Sequence, residues 1–434
     1  MTAPEAIDLG AGAQMHALAR RLWPLNRSIT GDGVRQTLAL IRQHHLPGLV
    51  VHEVPSGTPA LDWVVPREWR VRRAWLITPS GRKICDFSVN NLHLVGYSVG
   101  VHQTMDLATL NEHLHSLPDQ PDAIPYVTAY YNERWGFCLS HHDRLALEDG
   151  LYEVLVDAEQ FDGSLSYGEW LLPGESTQEV FISTYVCHPS MANNELSGPV
   201  VTAFLAQWLA AMPRRRYSYR IVFIPETIGS IVYISRHLAS LQRQVIAGFN
   251  VSCIGDDRNY SYLPSRRGDT LSDRAALHVL HWLAPGFKRY HWRDRGSDER
   301  QYCAPGVDLP MASIMRTKYG NYPEYHTALD DLETVVTPAG LAGGFRALQQ
   351  AVQVIERNCR PRATVLGEPQ LGQRGLYPPI STKTSGAETQ LLINLLTWSD
   401  GEHDLLDIAH ECQVPVWALY PLLDKLVEHQ LLTV

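Results

Sequence analysis

Residues 180–200 read Val180-Phe181-Ile182-Ser183-Thr184-Tyr185-Val186-Cys187-His188-Pro189-Ser190-Met191-Ala192-Asn193-Asn194-Glu195-Leu196-Ser197-Gly198-Pro199-Val200. The fold turns on where this stretch changes character. An apolar, largely β-branched and aromatic run, Val180 to Val186, stops at His188-Pro189-Ser190, small and polar residues follow, and helical periodicity takes over from Val200 to Leu209. That order predicts a buried strand, a loop and a helix. In open α/β sheets ligands bind in the crevice beyond the carboxyl ends of the strands. A histidine at a strand end with a glutamate close behind is therefore the first candidate for a site.

Working outward, strand and helix patterns alternate from Gln178 to about Glu356. Tyr219 to Pro225 and Val245 to Ile254 read as strands, Ile231 to Gln242 as a helix, and Pro338 to Asn358 as the closing helix. Alternation of this kind predicts an α/β fold, a parallel or mixed sheet with helices on both faces. Upstream, Met15, Leu18 and Leu22 and then Val34, Leu38 and Ile41 recur at helical spacing, and Leu49 to Val54 reads as a strand. Between them and the central strand lies a block of short alternating segments: Ala74 to Ile77, Tyr126 to Tyr130, Trp135 to Leu139 and Tyr152 to Val156. Turn signals such as Pro79-Ser80-Gly81 punctuate it, so the block reads as a β-rich insert. Downstream, a Gly- and Pro-bearing connection, Gly367 to Gly386, leads to three short helical patterns: Thr389 to Leu396, Asp404 to Cys412 and Val416 to Leu426. These resemble a winged helix. The expected domains are a discontinuous main domain, 1–57 and 175–362, a β-rich insert, 58–174, and a linker with a winged helix, 363–434.

The bulk properties set bounds. The chain has 434 residues, more than one core accommodates, with 45% hydrophobic and 19% charged residues. A net charge of −9 argues against a general nucleic-acid binder. In the winged helix, Lys425 is the only Lys or Arg from Asp404 to Leu426, so DNA binding is not expected there. A protein partner, or a homo-oligomer formed through the insert or winged helix, is the expected use. The seven cysteines are scattered without a Cys-x-x-Cys pair, which supports neither a disulfide framework nor a zinc ribbon. With no signal-like segment and no long apolar run, a cytoplasmic protein without a membrane span is expected.

Two more strand-end loops carry chemistry. Glu226 follows Ile221-Val222-Phe223-Ile224-Pro225 and precedes a Gly-bearing turn, and His326 lies in Tyr322-Pro323-Glu324-Tyr325-His326-Thr327-Ala328-Leu329-Asp330-Asp331. Two imidazoles and a carboxylate hold Zn²⁺ with one position left for water, and a free glutamate beside them takes that water's proton. Cys187 is expected to pack as a small side chain pointing away from His188. Asn90, Asn91 and His93 read as turn and packing residues, and no phosphate-binding glycine motif appears.

In their order, His188, the loop ending in Ser197-Gly198, Glu226 with Gly229, and Tyr325-His326-Thr327 resemble the co-catalytic zinc exopeptidases of the aminopeptidase type. Cys187-His188-Pro189-Ser190, Asn193 to Pro199, Pro225 to Ser230 and Gly296 to Cys303 resemble more closely a bacterial group of aminopeptidase-like proteins, a domain-of-unknown-function family. In that group a β-rich insert, matched by Asn90 to Ser98 and Ala123 to Thr128, interrupts the peptidase domain, and a winged helix follows. The resemblance implies a zinc-aminopeptidase-like fold, His188 and His326 as metal ligands and Glu226 as general base. Three ligand positions depart from the pattern: Asn194 stands for the bridging aspartate, Thr227 for a second glutamate and Ser252 for an aspartate. Neutral side chains there predict one ion, zinc or another divalent metal, in place of two. Glu195 is the expected third ligand, with Asp256 and Glu299 as substitutes and helix capping as its other reading. Asp298, Glu299 and Arg300 are expected to contact substrate, Arg300 suiting an anion; the same run also reads as a solvated turn. The expected activity is hydrolysis of an amide bond in a small peptide or N-acylated amine. The alternative is a binding or scaffolding module that kept the fold and lost catalysis.

Overall fold

The structure, a computed structural model, describes residues 8–376 and 386–434. Residues 377–385, within the expected Gly367–Gly386 connection, lie outside the described residues. The stretch 180–200 folds as a strand, Glu179–Tyr185, a single π-helical turn, Ala192–Leu196, and a helix, Ser197–Ala211. Every residue of that strand is buried. Its side chains alternate between two faces, with Val180 and Ile182 in one apolar core and Phe181 and Tyr185 in another.

This strand is central in an eight-stranded mixed sheet ordered Val50–Pro55, Ser164–Leu172, Ser218–Ile224, Glu179–Tyr185, Val245–Val251, Met311–Met315, Ser261–Leu263, Lys288–Arg289. The four strands from Ser218–Ile224 to Met311–Met315 run parallel. Antiparallel partners flank them on both sides. One face is covered by the helices Leu9–Leu22, Asp32–His44, Ser197–Ala211, Leu271–Leu283 and Pro338–Arg357. The other carries the helix Ile228–Gln244 and the apolar side of the insert. Parallel strands buried on both faces explain why their sequences are nearly continuous in apolar residues.

The insert is built on a four-stranded sheet, Lys83–Ile84, Glu68–Ile77, Leu151–Phe161 and Val101–Asp106. The strand Ser164–Leu172, inside the expected insert range 58–174, pairs with Val50–Pro55 and Ser218–Ile224 and so belongs to the main sheet. Tyr126–Tyr130, read as a strand from its alternation, is irregular: isolated bridges at Pro125 and Thr128 are its sheet-like contacts, and its tyrosines turn toward the site.

The C-terminal module contains the helices Gly386–Thr397, Leu405–Glu411 and Tyr420–Glu428. The last begins four residues later than its periodicity predicts, with Pro421 in its first turn, where proline is tolerated. Arg274 clamps Asp404 with two hydrogen bonds of 2.7 Å and reaches Asp407 at 2.8 Å. The backbone N–H of Val416 donates to His278 Nε2 at 2.8 Å. Leu405, Ile408, Val416 and Leu426 join the same apolar core as the main-sheet helices. Among the described residues, no helix is long and apolar enough to cross a membrane.

Candidate active site

The carboxyl ends of three of the four parallel strands, Glu179–Tyr185, Ser218–Ile224 and Met311–Met315, feed the loops that carry His188, Glu226 and His326. All three side chains line one cavity of about 340 Å³, together with Cys187, Thr227, Arg300, Tyr126, Tyr130, Tyr131 and Trp63. The backbone is held in the left-handed region at Ser190 (φ 34°), Thr227 (φ 63°) and His326 (φ 57°). Left-handed non-glycine residues are costly and concentrate at functional sites.

His188 is fixed from behind. Its Nδ1 lies 2.9 Å from Glu195 Oε2, and Arg27, whose side chain is fully buried, sits 3.3 Å from the other oxygen of that carboxylate. Arg27 also donates to the carbonyls of His188 (3.0 Å) and Leu22 (2.6 Å). Burial lowers the affinity of the His188 ring for a proton, but the hydrogen bond and charge of Glu195 outweigh it and raise its pKa above the usual value. The other nitrogen, Nε2, lies 3.7 Å from Glu226 Oε2. Glu226 keeps 22% of its side chain accessible, and burial raises its pKa against the opposing charge of His188.

His326 stacks on Tyr325 (3.9 Å) and meets Tyr126 edge-on (5.1 Å); its ring centre is 5.8 Å from that of His188. Burial, aided by the nearby His188, lowers its pKa to about 3, leaving a neutral ring with a free lone pair. Cys187 departs from its expected orientation. Because the chain has left the strand at Tyr185, Sγ lies on the His188 side, 3.3 Å from Nδ1, and accepts the Glu226 N–H at 3.1 Å. Burial and the charge of Glu195 hold its thiol well above the usual range, so it is no nucleophile.

Apart from Arg300, the other expected site residues fall outside the cavity. Glu195, fully buried, faces Arg27 and the back of His188; with Cys187 and His188 it places one donor atom each within 4.8 Å. Arg27 supplies the positive charge beside that carboxylate, so this cluster reads as hydrogen-bonded support. Asp298 accepts from the Thr227 N–H (2.7 Å) and the Ser230 hydroxyl (2.8 Å). Glu299 accepts from the Gly296 and Ser297 N–H groups and from Asn250. Asp256 binds the side chain of Asn193 and both polar groups of Thr317. Of the expected substrate contacts, Arg300 alone reaches the cavity.

A two-ion site does not fit these residues. Asn194 Nδ2 donates to the Tyr185 hydroxyl at 2.9 Å, which in turn donates to the Asn194 carbonyl at 2.7 Å, so that amide is tied into the wall. Asn194 Oδ1 and Ser252 Oγ are buried without a hydrogen-bond partner, and both are neutral, weak donors. For a single ion the cavity offers two imidazoles, His188 and His326, with ring centres 5.8 Å apart, and Glu226 Oε2 stands 3.7 Å from His188 Nε2, placed as a base beside such an ion and not counted among its ligands.

Two residues carry roles that the sequence pattern does not assign: Arg27, in the loop between the first helices, and Asp330, which lies in the Tyr322–Asp331 stretch. Asp330 accepts the N–H groups of Asn193 (2.7 Å) and Asn194 (2.9 Å) and the Tyr322 hydroxyl (2.9 Å), which shapes the π-turn. Gly198 is required where the following helix meets the sheet, since a Cβ there would sit 2.5 Å from the Val251 carbonyl oxygen.

Comparison with known proteins agrees with this architecture. A Clostridium acetobutylicum relative, a candidate polysaccharide biosynthesis protein with an aminopeptidase-like domain, is 40% identical over 406 residues, 92% of this chain and 91% of its own. The crystal structure of a candidate peptidase from Clostridium acetobutylicum superposes with TM-score 0.91 at 38% identity, covering 98% of this chain and 97% of that one. A zinc aminopeptidase from Bacillus subtilis shares the fold with TM-score 0.58 at 14% identity, over 81% of this chain and 95% of its own. Residues 359–434 match a winged helix-turn-helix family. Residues 16–358 match the family model described as a domain of unknown function (DUF4910), and the chain belongs to that family.

Proposed function

We propose that the cavity is the active centre of a hydrolase that cleaves an amide bond in a small peptide or N-acylated amine with one divalent ion, zinc in the first place. The observation that carries this reading is the orientation of His188: Nδ1 is committed to the buried Glu195, so Nε2 is presented to the cavity beside Glu226. A carboxylate behind a histidine fixes the tautomer and strengthens the outward nitrogen as a ligand. His188 and His326 would hold the ion, which when bound polarises a carbonyl and acidifies water. Glu226 takes a proton from the attacking water and returns it to the leaving amine, and its burial suits it to hold that proton. Tyr126, Tyr130 and Tyr131 exclude water and hold the acyl portion. The carbohydrate connection in the relative's name favours including acylated amino sugars among the substrates.

The test is a panel of aminoacyl-nitroanilides and N-acetylated amino sugars, with Glu226→Gln as control. Turnover that drops about 100-fold or more in that variant supports the reading; equal turnover in both proteins rejects Glu226 as the base. The second reading, a binding module without catalysis, draws on Asn194, Thr227 and Ser252, none of which can supply an anionic ligand. A zinc-loaded protein inert on the whole panel would favour it.

A further inference from the structure

The cavity's charges select among those substrates. Glu226 is the one carboxylate on its wall; Glu195 is closed off behind His188. Arg300 is the one guanidinium there, and among the described residues it pairs with no carboxylate. Its position is set: Nη2 donates to Thr227 Oγ1 at 2.7 Å, and Thr227 is itself pinned by Asp298, which accepts its N–H at 2.7 Å. An ammonium entering this cavity would meet a guanidinium and two imidazoles and would compete with His188 for Glu226. An anion would find an anchored guanidinium whose remaining N–H groups are tied to no carboxylate. Around them, Tyr126, Tyr130, Tyr131 and Trp63 offer ring faces to an apolar or sugar body.

We propose that the substrate is an anionic N-acylated amine, whose carboxylate or phosphate binds Arg300, and not a peptide with a free amino terminus. This rests on the active-centre reading above. Thr227 is central to it: the hydroxyl that takes the place of an acidic side chain anchors a guanidinium where a carboxylate would have neutralised it.

The test is binding, measured by titration calorimetry on the full chain at fixed ionic strength, so that it does not depend on turnover. The probes are N-acetyl-L-tyrosine, N-acetyl-L-tyrosinamide and L-tyrosinamide, with N-acetylglucosamine 1-phosphate set against N-acetylglucosamine. At least one anion should bind about tenfold or more tightly than its neutral partner. Arg300→Gln should abolish that preference, leave affinity for the neutral probes unchanged and melt with the wild type, and Arg300→Lys should keep part of the preference. The favoured pair distinguishes an amino-acid carboxylate from a sugar phosphate. The proposal is overturned if neither anion is preferred, if neither binds, if the preference survives Arg300→Gln, or if L-tyrosinamide binds best. Anion preference without amide turnover would instead contradict the active-centre reading and leave the ligand class standing.

Discussion

Glu195 Oε2 lies 2.9 Å from His188 Nδ1, and this contact decides what the rest of the site can do. The carboxylate expected to share a metal with His188 stands behind it, paired with the buried Arg27. Replacing Glu195 by Gln leaves Arg27 as an unpaired buried cation, and breaking such a pair costs about 3–5 kcal/mol. Urea unfolding should show a loss of that order. A chelator competition should show zinc affinity lower by about 10–100-fold. Unchanged affinity in a folded variant would mean that Glu195 does not act through His188.

Replacing both partners separates stability from function. Arg27→Met with Glu195→Leu removes both charges, and a buried ion pair exchanged for apolar residues is often neutral in stability. The double variant should recover part of the stability lost in Glu195→Gln, the carbonyls of His188 and Leu22 having lost their Arg27 donor, while its zinc affinity stays low because His188 Nδ1 has no carboxylate. Recovery of affinity along with stability would show that packing, and not the hydrogen bond, orients the ring.

Asn194→Asp tests the second ion. The new carboxylate would face the Tyr185 hydroxyl that now accepts from the amide, costing about 1–3 kcal/mol. Thr227 and Ser252 remain neutral, so metal stoichiometry should not rise above one ion per chain. Two ions bound by this variant would show that the amide alone prevents a dinuclear centre.

Much of this was legible in the sequence. The strand Glu179–Tyr185 shows itself by an apolar run that only two-sided burial requires, and His188 and Glu226 stand just past strand ends, with His326 deeper in the loop that follows Met311–Met315. The role of Glu195 was not legible, because side-chain direction in the π-turn is set by Asp330, more than 130 residues away. Arg27 was hidden for a related reason: a lone arginine in a polar loop reads as solvated unless the fold folds it under. The cavity-lining Tyr126 and Tyr130 alternate like strand residues, yet their hydroxyls bond each other and the Tyr126 ring packs against His188.

Asp330 predicts a pH dependence of stability. Burial raises its carboxyl to about 7 against the hydrogen bonds it accepts from Asn194 and Asn193, whereas an unfolded aspartate titrates near about 3.9. The folded state therefore binds the proton more tightly, and this contribution to stability is full below about pH 4 and lost as pH rises through about 7. Urea midpoints of wild type and Asp330→Asn should diverge between those limits, the wild type losing relative stability as pH rises. Parallel curves would show that Asp330 does not titrate there.

Docking of the winged helix depends on Arg274. Burial pushes the Asp404 carboxyl up, but hydrogen bonds from Arg274 and Asn358 hold it at about 2. Its folded value lies below the unfolded one, so the stabilisation is present above about pH 4 and fades as pH falls toward 2. Arg274→Ala should loosen the module by about 1–3 kcal/mol, read as faster proteolysis near residues 359–376 at neutral pH. Unchanged cleavage would assign the docking to the apolar contacts alone.

The most direct test of the account is the metal content of protein purified without chelator and equilibrated with zinc, for wild type, His188→Ala and His326→Ala. The account predicts close to one equivalent in the wild type and a large loss in each variant. Two equivalents, none, or full retention in His188→Ala would contradict it.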